Sequence, residues 1–114
     1  MFKIEEKNIY LTRGDSAIIE LSIDDYTFEA GDKIEFRVYN KKRLNEKPLL
    51  SKTVEINESC ASINIELTSE ETKIGEMRNA TIEYWYEIEL NDKQTIVGYE
   101  EGPAILYLYP EGAE

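Results

Sequence analysis

Short segments that alternate with a period of two follow one another through almost the whole chain, and no segment long enough for a packing helix interrupts them. Asn8–Leu11, Ala17–Ile23, Lys33–Tyr39, Leu50–Ile56, Ser62–Leu67, Thr81–Leu90, Lys93–Tyr99 and Ile105–Tyr109 each read as a strand, with Gly, Asp or Asn in most of the gaps. Successive side chains of a strand leave on opposite faces, so such alternation turns one face to a core and the other to water. About eight strands at this spacing predict an all-β, antiparallel β-sandwich rather than an open sheet or a ligand-enclosing barrel. The 114 residues suffice for one domain, 1–114, and are too few for two. A chain of this length buries roughly two-thirds of its unfolded surface, so a core forms without disulfides or metal.

The alternation assigns the faces. Ile19, Leu21 and Ile23 share a face; so do Ile34, Phe36 and Val38, then Ile63, Ile65 and Leu67, then Ile82, Tyr84, Tyr86, Ile88 and Leu90. Lys52 interrupts the face of Leu50, Val54 and Ile56, which predicts an edge strand. Thr68–Gly75 carries the one helical signal: Thr68 as cap, Glu70 and Glu71 at the positive end, Gly75 as terminator. It predicts a short helical crossover at Ser69–Ile74. Asn91-Asp92 predicts a two-residue hairpin, because both residue types tolerate positive φ. Met1–Lys7 reads as a polar, fraying lead-in, and Glu100–Pro103 as the last turn.

Charge and composition narrow the chemistry. Thirteen basic residues face 24 acidic ones, for a net charge of −11. Such a surface repels phosphate backbones and anionic lipid, which disfavours nucleic-acid and membrane-surface binding. There is no histidine, so histidine acid–base catalysis and histidine–metal sites are excluded. The lone Cys60 forms no intramolecular disulfide and reads as a small structural residue. Asp24, Asp25, Glu29 and Asp32 crowd one connection, but their spacing fits no calcium loop, so neither a metal nor a cofactor is predicted. Glu83, Glu87 and Glu89 line one strand face and read as surface charge rather than a catalytic pair. Arg13-Gly14-Asp15 matches the integrin-recognition tripeptide but reads as a structural turn between strands. Together these features predict a protein that is not an enzyme.

Two features point to contact with other proteins. Trp85 lies on the outward face among glutamates, either covered by the Asn40–Lys47 loop or standing as an aromatic anchor. In the last strand Ile105, Tyr107 and Tyr109 alternate with Leu106 and Leu108, so both faces are apolar and one needs cover from the N-terminal segment or from another subunit. Trp85, Tyr107, Leu108 and Tyr109 are therefore the interface candidates. A weak homo-oligomer opposed by like charge is one expected outcome.

Asn8-Ile9-Tyr10-Leu11-Thr12-Arg13-Gly14-Asp15-Ser16, followed by the alternating Ala17–Ile23 strand, resembles the opening of phage baseplate upper-protein N-terminal domains. The order of later features, Lys33–Tyr39, the acidic Thr68–Gly75 crossover, the aromatic Thr81–Leu90 strand and the Thr95–Gly98 return, is similar too. The resemblance implies an immunoglobulin-like sandwich acting in a tailed-phage host-recognition device, with phage tail or baseplate proteins as partners and no catalytic residues. Members of that family continue into coiled-coil and receptor-binding regions, whereas this sequence stops at Glu114, which implies a stand-alone version of the module. The N-terminus lacks a signal-peptide core, so the expected site of synthesis is the bacterial cytoplasm, with the virion as destination if the gene is phage-borne. The rival expectation is a free-standing bacterial binding module whose end loops, Asp24–Asp32 and Glu100–Pro103, hold a carbohydrate or a cation.

Overall fold

The computed structural model describes residues 2–40, 47–75, 79–92, 94–97 and 104–111. Among the described residues nine strands form two sheets. The strands are β1 (Phe2–Glu5), β2 (Asn8–Thr12), β3 (Ala17–Leu21), β4 (Lys33–Asn40), β5 (Leu50–Glu55), β6 (Ile63–Leu67), β7 (Ile82–Leu90), β8 (Gln94–Val97) and β9 (Ile105–Tyr109). The large sheet runs β1-β2-β9-β7-β4-β5, and β8 also pairs with β7. β3 and β6 form the small sheet. β8 and β9 share the edge of β7 opposite β4: β9 pairs with Ile82–Trp85 and β8 with Ile88–Leu90, with a break in register between Ile88 and Glu89.

Both sheets contribute to one core. Ile9, Leu11, Ile34, Phe36, Val38, Tyr84, Tyr86, Ile88, Leu90, Leu106 and Leu108 come from the large sheet; Ala17, Ile19, Leu21, Ile63, Ile65 and Leu67 come from the small one. This is the two-layer packing that a half-buried alternating strand calls for. Phe36 is fully buried at the centre of β4, with Lys52 and Ile88 as its cross-strand neighbours and the Tyr86 ring 5.6 Å away. Lys52 does sit on an edge strand: β5 ends the sheet, and the Lys52 ammonium lies 2.9 Å from both oxygens of Glu71.

Four local expectations need correction. The segment Thr68–Gly75 contains no helix. Thr68 and Glu71 do cap each other, the Thr68 N–H donating to Glu71 Oε1 at 2.9 Å and the Glu71 N–H to Thr68 Oγ1 at 3.2 Å. Only one helical bond follows, from the Thr72 N–H to the Thr68 carbonyl at 3.1 Å, before a tighter Lys73-to-Glu70 bond ends the turn. A nucleus without propagation is costly, and here packing stops it: Ile74 turns into the core and Gly75 takes a φ of 63°. Among the described residues the protein is all-β. The N-terminal lead-in is not frayed, because Phe2–Glu5 pairs with β2 across a turn whose Glu6 has a φ of 56°. The pairing is not wholly antiparallel, since β2 and β9 run parallel, from Ile9 beside Leu106 to Thr12 beside Tyr109. Asn91 and Asp92 do take positive φ, 55° and 58°, but Leu90 pairs with Gln94, so the loop has three residues.

Candidate docking interface

The outward face of the large sheet divides into two halves, set by register. On the β1-β2-β9 side, Lys3, Tyr10, Tyr107 and Glu83 stand abreast on four successive strands. The Tyr10 and Tyr107 rings stack with centroids 4.8 Å apart and planes within 7°. The Lys3 ammonium sits 4.9 Å over the Tyr10 ring, a cation–π contact at the sheet edge. In the next row Ile105, Trp85 and Tyr39 stand abreast, all half-buried, and Tyr109 lies beside Thr12. Trp85 therefore does face outward. Its expected cover, Asn40–Lys47, falls mostly on residues 41–46, outside the described residues.

Leu108 does not belong to this face. It is only 3% exposed and packs in the core beside Leu11, because odd and even residues of β9 part company. Its expected role at an interface is corrected: it is a core residue. Trp85, Tyr107 and Tyr109 remain, together with Tyr10, Tyr39 and Ile105. Sequence reading named none of these three as interface candidates; Tyr10 in particular had no local signal, since nothing local says that β2 lies next to β9.

The other half of the face is a charge ladder that closes on itself. The Arg37 guanidinium donates to Glu87 at 3.0 Å, and also to Glu89 and Glu35. Burial works against the Arg37 charge, but Glu89 and Glu87 outweigh it and raise its pKa. The Tyr39 hydroxyl donates to Glu87 at 2.8 Å, and burial together with that carboxylate pushes its pKa up to about 12. Lys33 bridges Asp92 at 2.9 Å and Glu35 at 3.3 Å, which raises its own pKa. Glu87 and Glu89 thus act as partners of Arg37.

The Arg13-Gly14-Asp15 segment closes a turn, with the Asp15 N–H donating to the Thr12 carbonyl at 3.0 Å and Gly14 at a φ of 91°. The Arg13 side chain is 12% exposed; it pairs with Glu111 at 2.9 Å and donates to the Gly75 carbonyl at 3.2 Å. Buried Thr72 clamps the same turn: its Oγ1 accepts from the Gly14 N–H at 3.0 Å and donates towards the carbonyls of Asp15, at 2.8 Å, and Ser69, at 3.1 Å. An arginine held in this way is spent on structure.

At the end of the sandwich, Asp32 accepts from the Tyr26 hydroxyl at 2.5 Å, the Glu29 N–H at 3.0 Å and the Asn91 amide at 3.0 Å. The Tyr26 bond, then the other two, hold its pKa below the ordinary carboxylate value, and Asp32 in turn pushes Tyr26 up to about 12. Asp24 and Asp25 lie exposed on a neighbouring turn. Among the described residues, no group of three or more acidic or cysteine side chains is arranged to hold a metal ion. A shallow depression of about 360 Å³ lies nearby, lined by Ala30–Lys33 and Glu55–Asn57. Glu100–Pro103, the other half of the expected end-loop site, lies outside the described residues. No helix among the described residues is long and apolar enough to cross a membrane. Comparison with protein-family models, with curated proteins and with solved structures finds no match.

Proposed function

We propose that this chain is an immunoglobulin-like, non-enzymatic docking module of a phage-like tail or baseplate, binding a neighbouring structural protein through the aromatic half of its large-sheet face. The observation that carries the reading is the patch of Tyr10, Tyr107, Trp85, Tyr39 and Ile105 on two adjacent rows of one sheet face. Large amphipathic rings on a rigid sheet provide contact area at low entropic cost, and such residues dominate interface energetics. The immunoglobulin-like assignment is supported by strand order. β9-β7-β4-β5 opposite β3-β6 matches the G-F-C-C′ sheet facing the B-E pair of variable-type sandwiches. The phage context is supported by the resemblance of Asn8–Ser16 and of the feature order that follows it.

Antibody labelling of particles from an induced lysogen carrying the gene is the direct test. The expected result is label on the tail for the wild type, and its loss in a Trp85→Ser, Tyr107→Ser variant that keeps its melting temperature. Particles without label, together with a gene lying far from any tail or capsid gene, would refute the proposal.

The competing reading, a bacterial binding module using its end loops, has the depression beside Asp32 in its favour. Calcium tests the cation form of that reading. Asp32 already accepts three hydrogen bonds, so added calcium is expected to leave the melting temperature nearly unchanged. A large, chelator-reversible rise would favour the competing reading.

A further inference from the structure

An open sheet edge is a template for another strand, and among the described residues the main path of the large sheet ends in two, β5 and β1. They are protected very differently. Pro48 precedes β5, and its core-side Lys52 is tied to Glu71, so a strand added there would meet a charge directed inward. β1 has no such guard. Phe2–Glu5 holds no proline, glycine or register break, and among the described residues no strand pairs with its outer edge. Its outward row carries Lys3 and Glu5, and its core-side row carries Phe2 and Ile4. Ile4 is 41% exposed, one of three large apolar side chains that stand out among the described residues.

We propose that β1 joins two copies of this chain edge to edge, antiparallel, about a two-fold axis at Ile4, so that the two large sheets become one. The register follows from charge and pleat. Opposed residues must share a face, so a slip of one residue is excluded. Lys3 opposite Lys3, or Glu5 opposite Glu5, would set like charges together. With Ile4 opposite Ile4 of the partner subunit, Lys3 faces Glu5 of the partner subunit and Glu5 faces Lys3 of the partner subunit. The strand is its own charge complement, which commits the site to a second copy rather than to a basic or an acidic stranger. Lys3 and Glu5 already pair within one copy at 3.2 Å, with side chains 52% and 63% exposed. Exchanging partners therefore buries no new unpaired charge, while the two Ile4 side chains cover each other. In this register only Lys3, Ile4 and Glu5 of each copy oppose one another, and so short a contact between molecules of net charge −11 makes a weak dimer, helped by screening salt. The contact lies at the sheet edge and leaves the aromatic half-face open, so it stands or falls independently of the docking role.

Sedimentation equilibrium of the full chain at about 0.15 M salt, where the screening length is about 8 Å, reads the association. The wild type is expected to show a concentration-dependent dimer. Lys3→Glu makes the outward row all-acidic and Glu5→Lys makes it all-basic; each alone is expected to lose the dimer, and an equimolar mixture is expected to recover it. In a Cys60→Ser background, oxidised Ile4→Cys is expected to cross-link between copies, while Ile18→Cys, on the exposed face of β3, is not. Circular dichroism verifies that each variant is folded. A strictly monomeric wild type, association that survives in both charge variants, a mixture that fails to associate, or cross-linking of Ile18→Cys as fast as Ile4→Cys would each overturn the proposal.

Discussion

Thr72→Val tests how the two sheets are tied together at one end. Thr72 is fully buried, and its hydroxyl meets the Gly14 N–H, the Asp15 carbonyl and the Ser69 carbonyl. Valine has the same shape, so no cavity opens and the loss isolates the hydrogen bonds. A buried donor or acceptor left without its partner costs about 1–3 kcal/mol, and the Gly14 N–H and Asp15 carbonyl would both lose theirs. Gly14 and Asp15 are only half-buried, so water offsets part of the penalty, and the extra methyl adds apolar burial. The net expectation is a loss of about 2 kcal/mol. Thr72→Ser keeps the hydroxyl and removes one methyl, so it should cost less, about 1 kcal/mol. Urea unfolding measures both. At a slope of roughly 1.5 kcal/mol/M the valine variant's midpoint falls by about 1.3 M with the slope unchanged. A valine variant as stable as the wild type, or a serine variant harmed as much as valine, would refute the clamp.

Other expectations follow from the same geometry. Phe36→Ala should cost about 3–5 kcal/mol in urea unfolding, because a fully buried ring leaves both a transfer loss and a cavity, and a cost near zero would contradict the face assignment of β4. Gly75→Ala should lower the melting temperature more than Gly31→Ala. Both glycines have positive φ, but a Cβ at 75 would lie 2.6 Å from the Tyr84 hydroxyl and one at 31 meets nothing. Acid should destabilise the fold below about pH 4.5. Asp32 and Glu71 have folded pKa values depressed below 3.8 and 4.5, so the unfolded chain binds protons first and stability falls as pH drops through the folded values. Melting scans in which Tyr26→Phe has the same acid sensitivity as the wild type would remove Asp32 from that account, since Tyr26 is the first cause of its shift.

How far the sequence reaches is clearest strand by strand. Period two is a local property, so the inward set Ile34, Phe36, Ile63, Ile65, Tyr84, Tyr86 and Ile88 was legible from residues alone, and all seven are buried. The edge position of β5 was legible for a similar reason, because Lys52 breaks its own strand's pattern. β1 was not, because Phe2 and Ile4 alternate with charge over only four residues, too short a run to stand out beside the glutamates that flank it. The Thr68–Glu71 cap was legible, but the helix it promised was halted by packing of Ile74 and by the bonds of Thr72 to a turn 57 and 58 residues away. The candidate face shows the same division. Alternation put Trp85 outward and set Tyr107 and Tyr109 on the face opposite Leu106 and Leu108, but with both faces apolar it left open which of the two meets the core. Leu108 was turned to the core, and Tyr10 brought against Tyr107, by the parallel register of β2 on β9. A strand's own residues decide which side chains share a face, because pleat geometry is local. Which strands lie side by side, and which edge is left open, is decided only when distant segments compete for the same backbone hydrogen bonds and the same buried area.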